Sequence, residues 1–257
     1  MSRSPANAAP APPVPPPGTT VPPPGYSDFV YQASRSMMAL WARLWLRLST
    51  EGREHVPMQG PLLAVANHCS FLDPPLLGVT VVRPVRFLAK QGLAAVPPLR
   101  WWLRKVGVSL IDRNAPSKDV LRKLTEQLQQ GGCVAVFAEG TRSDDGKTAP
   151  FRTGVEFLVR RTGAPVLPVG IEGSFRALPK GAWFTRPRKC TVRCSEVWSP
   201  ERVLAPGGSE ALRREVARLA HAALSDDPPA SAGEAAGVGH GPGALPADSS
   251  PSAGSRS

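Results

Sequence analysis

Apolar positions along the chain change their period several times, and each change marks an element. From 27 to 48, "SDFVYQASRSMMALWARLWLRL" places Met37, Leu40, Trp41, Leu44, Trp45 and Leu48 along one side at helical spacing, with Arg35, Arg43 and Arg47 on the other. A basic amphipathic helix carrying tryptophans suits a lipid headgroup region; the same pattern also suits a helix packed on a domain with its arginines in water. A turn-rich connector, "EGREHVPMQGP", leads to a continuous apolar run, Leu62 to Ala66, read as a strand buried on both faces. Beyond it the pattern predicts a short helix over 74–79, a strand over 85–89, a tryptophan-bearing basic stretch over 93–107 and a short apolar strand over 108–111. Ser117 is positioned to start a helix carrying Val120, Leu121, Leu124 and Leu128, which Gly131-Gly132 ends. Strand 133–137, helix 154–161, strands 166–171 and 190–197 and a final helix over 209–224 complete the series. This alternation predicts an α/β fold: one domain with a mostly parallel central sheet flanked by helices.

Composition separates the ends from that pattern. Residues 1–26 are rich in Pro and Ala, and 226–257 in Ala, Gly, Ser and Pro, with too few apolar side chains to offset the entropy of ordering; both are predicted to be disordered. The division is therefore a leader (1–26), an amphipathic membrane-associating helix (27–50), a domain (51–225) and a tail (226–257). The glycine-rich "GVGHGPG" of the tail follows no strand and opens no helix, so it does not read as a phosphate loop.

Charge narrows the partners. Between 27 and 225 there are 29 Lys or Arg against 16 Asp or Glu, a basic field that favours an anionic lipid surface, a phosphorylated substrate or nucleic acid. The basic residues are interleaved with tryptophans and no nucleic-acid motif occurs, which ranks nucleic acid last. Cys69, Cys133, Cys190 and Cys194 lack metal-ligand spacing and read as small buried hydrophobes. No secretory apolar core opens the chain and no run of apolar residues is long enough for a conventional span. The expectation is a cytoplasmic setting with peripheral attachment to the membrane.

The candidate chemistry sits in "NHCSFLD", directly after the first buried strand, where α/β folds build their sites. Residues five apart are about 140° out of register on a helix, so His68 and Asp73 meet only if the chain turns back between them, with Asp73 capping the following helix. A carboxylate on one imidazole nitrogen leaves the other as a base. No G-x-S-x-G supplies a nucleophile, which suggests that the substrate brings its own hydroxyl or amine. Alone, such a spacing also fits a histidine satisfied inside a loop.

The blocks that follow resemble those of the glycerolipid acyltransferases, typified by 1-acylglycerol-3-phosphate acyltransferase. "NHCSFLD", "GVSLIDR" (107–113), "FAEGTR" (137–142) and "VLPVG" (166–170) occur in that family's order, and "FRTG" (151–154) is similar to its Phe-Lys-x-Gly stretch. The resemblance spans roughly 53–200. It implies a catalytic pair at His68 and Asp73, an acceptor-binding block at Glu139, Gly140, Thr141 and Arg142, and further basic positions at Arg113 and Lys90, each of which also suits a surface salt bridge. Arginine holds phosphate bidentately, and Gly140 allows close backbone approach. Glu139 could bind an acceptor hydroxyl or hold Arg142.

The implied reaction moves a fatty acyl group from acyl-CoA or acyl carrier protein to the free hydroxyl of a lysophospholipid, 1-acylglycerol 3-phosphate giving phosphatidic acid, at the cytoplasmic face of the cell membrane. It requires no cofactor beyond the thioester cosubstrate and no metal. Another lyso-lipid acceptor (a lyso-ornithine lipid or a glycolipid), or hydrolysis of the thioester by water, remains the alternative.

Overall fold

A computed structural model describes residues 25–90, 92, 95–111 and 117–226. The leader to residue 24, the tail from 227 and Arg113 lie outside the described residues, as does the Lys90 side chain. The elements run α1 (Asp28–Trp45), β1 (Ser49–Glu51), β2 (Leu62–Ala66), α2 (Asp73–Thr80), β3 (Val85–Arg86), β4 (Leu88–Lys90), α3 (Pro97–Lys105), β5 (Ser109–Ile111), α4 (Ser117–Gln129), β6 (Cys133–Phe137), α5 (Gly154–Thr162), β7 (Val166–Glu172), α6 (Ser174–Ala177), β8 (Thr191–Cys194), α7 (Pro200–Leu204) and α8 (Gly208–Ala220).

Six strands form the main sheet in the order β1-β8-β7-β2-β6-β3. The four from β7 to β3 are parallel, whereas β8 runs antiparallel to β7. The continuous apolar run of β2 has its cause in two covered faces. Leu62, Ala64 and Ala66 enter one core with Ala42 and Leu46 near the end of α1 and with Leu76 and Leu77 of α2. Leu63 and Val65 enter the other with Leu124 and Leu128 of α4, Leu158 of α5 and Leu212 and Val216 of α8. The expected α/β architecture is thus present as three layers. Gly170 of β7 lets α8 lie close: a Cβ there would overlap the backbone of Leu219 and Ala220.

The structure alters several local expectations. The strand expected over 85–89 is divided: β3 joins the main sheet, Phe87 packs against the first core, and β4 pairs with β5 in a separate two-stranded sheet. The strand expected over 190–197 is confined to β8, and the last helix ends at Ala220, where His221 takes a left-handed conformation (φ 49°). The short β1, α6 and α7 were not expected.

Helix α1 packs differently from its wheel. Its buried side chains are Tyr31 and Ala42, and Trp41 is only partly exposed against the first core. Arg35, expected on the solvent side, instead donates from Nε to the Gly78 carbonyl (3.3 Å) and from Nη2 to that of Val79 (3.1 Å), satisfying carbonyls in the last turn of α2. Phe29, Met37, Leu40 and Leu44 are left exposed as an outward apolar stripe. Trp102 of α3 donates to Ser34 of α1 (2.9 Å), while its neighbour Trp101 is exposed. Among the described residues no helix is long and apolar enough to cross a membrane.

Candidate active site

The turn after β2 is pinned to both flanking strands. Asn67 donates to the Ile171 carbonyl (3.0 Å) and accepts from its N–H (2.8 Å), which locks the turn to β7. On the other side, the backbone N–H of His68 donates to Oε1 of Glu139 (2.8 Å), just beyond the end of β6, and Ser143 N–H donates to the His68 carbonyl (2.7 Å). The histidine therefore stands at the carboxyl ends of three adjacent parallel strands, where such folds place their sites.

Asp73 closes the turn. Its Oδ2 accepts from Cys69 N–H (2.6 Å) and Ser70 N–H (2.7 Å) and lies 2.9 Å from His68 Nδ1. The expectation that Asp73 caps the following helix is corrected: it is the first residue of α2, Leu72 is the cap, and no side chain caps the helix. The carboxylate reaches backward instead, to the N–H groups of its own turn. Asp73 is fully buried, whereas the His68 side chain is 18% exposed and stacks on Phe137 (centroids 4.2 Å apart, planes at 20°). With Nδ1 against the carboxylate, Nε2 is the nitrogen left for chemistry.

Neither neighbour is a nucleophile. Burial pushes the Cys69 thiol up to about 12, so it stays protonated. Ser70 Oγ donates to the Leu178 carbonyl (2.9 Å) and accepts from Leu72 N–H (3.2 Å). The turn presents an imidazole paired with a carboxylate and no ionised thiol or free hydroxyl beside it.

Glu139 is also fully buried, and burial raises its carboxyl to about 7. Its second oxygen accepts from Ala149 N–H (3.2 Å). Both oxygens are thus spent on backbone donors, one of them the histidine's own, and among the described residues Glu139 makes no hydrogen bond or ion pair with Arg142. Of the two roles open in the sequence, the contact with Arg142 is not made; Glu139 binds the 139–149 loop to the histidine turn.

Arg142 lies over the ring of Phe71, its guanidinium carbon 3.7 Å from the centroid. Its Nη1 is buried and without a hydrogen-bond partner among the described residues, and burial lowers its pKa from the usual arginine value. Thr141 is half-buried beside it. Gly140 has φ 77°, and the space a Cβ would take is occupied by the Arg152 side chain, whose Nε donates to the Glu139 carbonyl (3.3 Å). The close approach at Gly140 is therefore made by a second arginine, Arg152 of the "FRTG" stretch, whose role no local pattern announces. Lys90 ends β4, paired in register with Ile111, two residues before Arg113. The four cysteines are buried and unbridged, and among the described residues no cluster of side chains fits a metal.

Residues 47–172 match the family model described as Acyltransferase. The chain is 32% identical over 150 residues to the 1-acyl-sn-glycerol-3-phosphate acyltransferase LPAT1 of Arabidopsis thaliana, covering 56% of this chain and 42% of that one. It is 34% identical over 142 residues to the lyso-ornithine lipid O-acyltransferase of Pseudomonas aeruginosa, covering 53% and 54%. The chain spans about half the length of the curated relatives it matches. Among solved structures, the 1-acyl-sn-glycerophosphate acyltransferase PlsC of Thermotoga maritima superposes with a TM-score of 0.64 at 31% identity, over 74% of this chain and 80% of that one. Fold, turn and sequence agree, and the chain belongs to the acyltransferase family that includes the 1-acyl-sn-glycerol-3-phosphate acyltransferases.

Proposed function

We propose that this protein transfers a fatty acyl group from a thioester, acyl-CoA or acyl carrier protein, to the free hydroxyl of 1-acylglycerol 3-phosphate, giving phosphatidic acid. The observation that carries the reading is His68 Nδ1 held 2.9 Å from the buried Asp73, with the opposite edge of the ring available and no nucleophile beside it. His68 Nε2 takes the proton of the acceptor hydroxyl as its oxygen attacks the thioester carbonyl carbon. The tetrahedral intermediate collapses with cleavage of the carbon–sulfur bond, and the thiolate leaves with the proton from His68. Asp73 stabilises the transient imidazolium. The chain's own groups and the two substrates balance the reaction, so no cofactor or metal is called for.

The unpartnered Nη1 of Arg142 supports an anionic acceptor headgroup, because a buried donor without a partner costs free energy that a phosphate oxygen would recover. Thr141 and Gly140 lie on the same turn as Arg142, and Lys90 ends β4; we assign these and Arg113, with Glu139 as the residue that positions His68, to the acceptor side. The apolar stripe of α1 and the basic domain support attachment to an anionic membrane surface, and we assign it to the cytoplasmic face. A lyso-ornithine lipid is the second acceptor to test, since a relative named for it matches at comparable identity, 34% against 32%.

The test uses the purified full chain with acyl-CoA and vesicles carrying either lyso-lipid. Formation of phosphatidic acid with release of free thiol supports the reading. Transfer to the ornithine lipid alone overturns the acceptor, and thioester cleavage to free fatty acid at saturating acceptor overturns the transfer.

A further inference from the structure

We infer that the loop between α6 and β8 is a second bilayer anchor, seating the mouth of the site on anionic lipid through Trp183 and Phe184. The inference rests on the lipid-acceptor reading above. These adjacent aromatic side chains are 87% and 86% exposed, more than any other large apolar residue among the described residues. The loop presents them from a closed neck. Arg186 N–H donates to the Ala177 carbonyl (2.7 Å), and Ala182 N–H donates to that of Pro179 (3.0 Å). Two neighbouring large rings held in water on a fastened loop lose hydration favourably when they enter an apolar phase.

The loop is tied to both turns of the site. Ser70 Oγ, inside the histidine turn, donates to the Leu178 carbonyl (2.9 Å), and Lys180 Nζ pairs with Asp144, two residues past Arg142 (2.6 Å). Phe175 lies under Gly146, where a Cβ would meet its ring at 3.3 Å. At its far end the loop reaches α1: Cys190 N–H donates to the Leu46 carbonyl (2.9 Å), and Ser49 N–H to that of Cys190 (3.0 Å). Leu44 and Trp45, both exposed, stand at that end of the helix. The aromatic tip, the site and the end of the apolar stripe on α1 therefore belong to one rim of the molecule.

Charge identifies the occupant. Arg176, Arg186, Arg188 and Lys189 flank the tip, all exposed, and none of them is in an ion pair among the described residues. Among the described residues, the only carboxylate tied to the loop in an ion pair, Asp144, is neutralised by Lys180. Aromatic side chains at a tip with cations behind them match the interface of an anionic bilayer, rings at headgroup depth and cations on lipid phosphates. A second copy of this chain, itself strongly basic, would meet these cations with like charge.

The experiment needs no turnover, so it separates this inference from the acyltransferase reading. All four native cysteines are buried, so Phe184→Cys in the full chain gives a selective site for an environment-sensitive dye. The dye is followed with phosphatidylcholine vesicles, with and without phosphatidylglycerol. The expected result is a blue shift with phosphatidylglycerol vesicles. In flotation, Trp183→Ser/Phe184→Ser, confirmed folded by its melting curve, binds those vesicles roughly ten- to a hundredfold more weakly than the parent. Arg186→Glu/Arg188→Glu removes most of the preference for the anionic lipid. A dye that stays in water while the chain binds vesicles overturns the inference, as does a concentration-dependent blue shift without vesicles, which marks self-association. A blue shift in a protein that transfers no acyl group supports the anchor and removes the enzymatic reading alone.

Discussion

Replacing Asp73 by Asn isolates the charge of the dyad from its geometry. Oδ2 accepts three N–H groups, two of them backbone, at 2.6 to 2.9 Å. The Asn carbonyl oxygen can take the same place and keep the two backbone bonds, so the turn survives. What is lost is the negative charge that, in the proposed mechanism, faces the imidazolium formed when His68 takes the acceptor's proton. A hydrogen bond to a charged partner contributes roughly 1.5–3 kcal/mol where a neutral one contributes about 1. The transition state then loses on the order of 1–2 kcal/mol from the bond alone. The Coulomb attraction at 2.9 Å, even at an effective dielectric constant near 20, adds to that. We expect kcat to fall about 10- to 150-fold with little change in KM for either substrate. Initial rates at saturating acyl-CoA and vesicle-borne acceptor measure it, with thermal melts alongside. Asp73→Ala is the contrast: it releases both backbone donors in a buried turn, at about 1–3 kcal/mol each, and should melt much earlier. A folded Asp73→Asn protein with kcat within about twofold of the parent would refute the role of the carboxylate.

Arg142→Ala should raise KM for the phosphate-bearing acceptor about 10- to 150-fold and leave that for acyl-CoA nearly unchanged; the opposite pattern in steady-state kinetics would reverse the assignment. Glu139 carries a pH signature: its folded pKa of about 7 lies above the ordinary 4.5, so between those values the native state holds the extra proton and stability falls as pH rises through that window. Denaturant titrations from pH 5 to 8 should therefore show the parent losing about 2 to 2.5 kcal/mol relative to Glu139→Gln, and parallel curves would contradict it. Met37→Ser/Leu40→Ser/Leu44→Ser should leave the melting temperature nearly intact, because these side chains already face water, while flotation with anionic vesicles drops roughly tenfold or more.

Parts of this structure were legible because their causes are local. The five apolar residues of β2 announce a strand covered on both faces, and both faces are covered. His68 and Asp73 are close enough in sequence for one turn to bring them together. The remainder depends on partners far along the chain. Ser49-Thr50-Glu51 has no apolar alternation, and it becomes β1 only because Thr191 to Arg193 pair with it. Arg35 looks like a solvent residue on a helical wheel, yet two carbonyls at the end of α2 bind it. Trp41 and Leu44 fall on the same side of the wheel, but the domain covers one and leaves the other. Glu139 and Arg152 were visible as residues of suggestive blocks. Their partners, a backbone N–H at His68 and the space beside Gly140, come from the meeting of two loops.

That meeting explains how a marginal feature, one histidine in a loop, acquires a fixed position. Three independent ties converge on it: Asn67 to β7, Glu139 to the loop after β6, and Asp73 to the start of α2. Each uses a buried polar group whose alternative is an unsatisfied donor or acceptor in a dry interior, so each resists displacement more than its net contribution to stability suggests. The ring is stacked on Phe137, and with Nδ1 against the carboxylate Nε2 is the nitrogen left over. A base whose partner is a hydroxyl on a lipid gains most from such rigidity. On the proposed reading the acceptor arrives by lateral diffusion in a plane, so a histidine fixed relative to the rim of α1 and the 178–189 loop would also be fixed relative to that plane. Orientation that would otherwise be lost on each encounter is built into the protein before the lipid arrives.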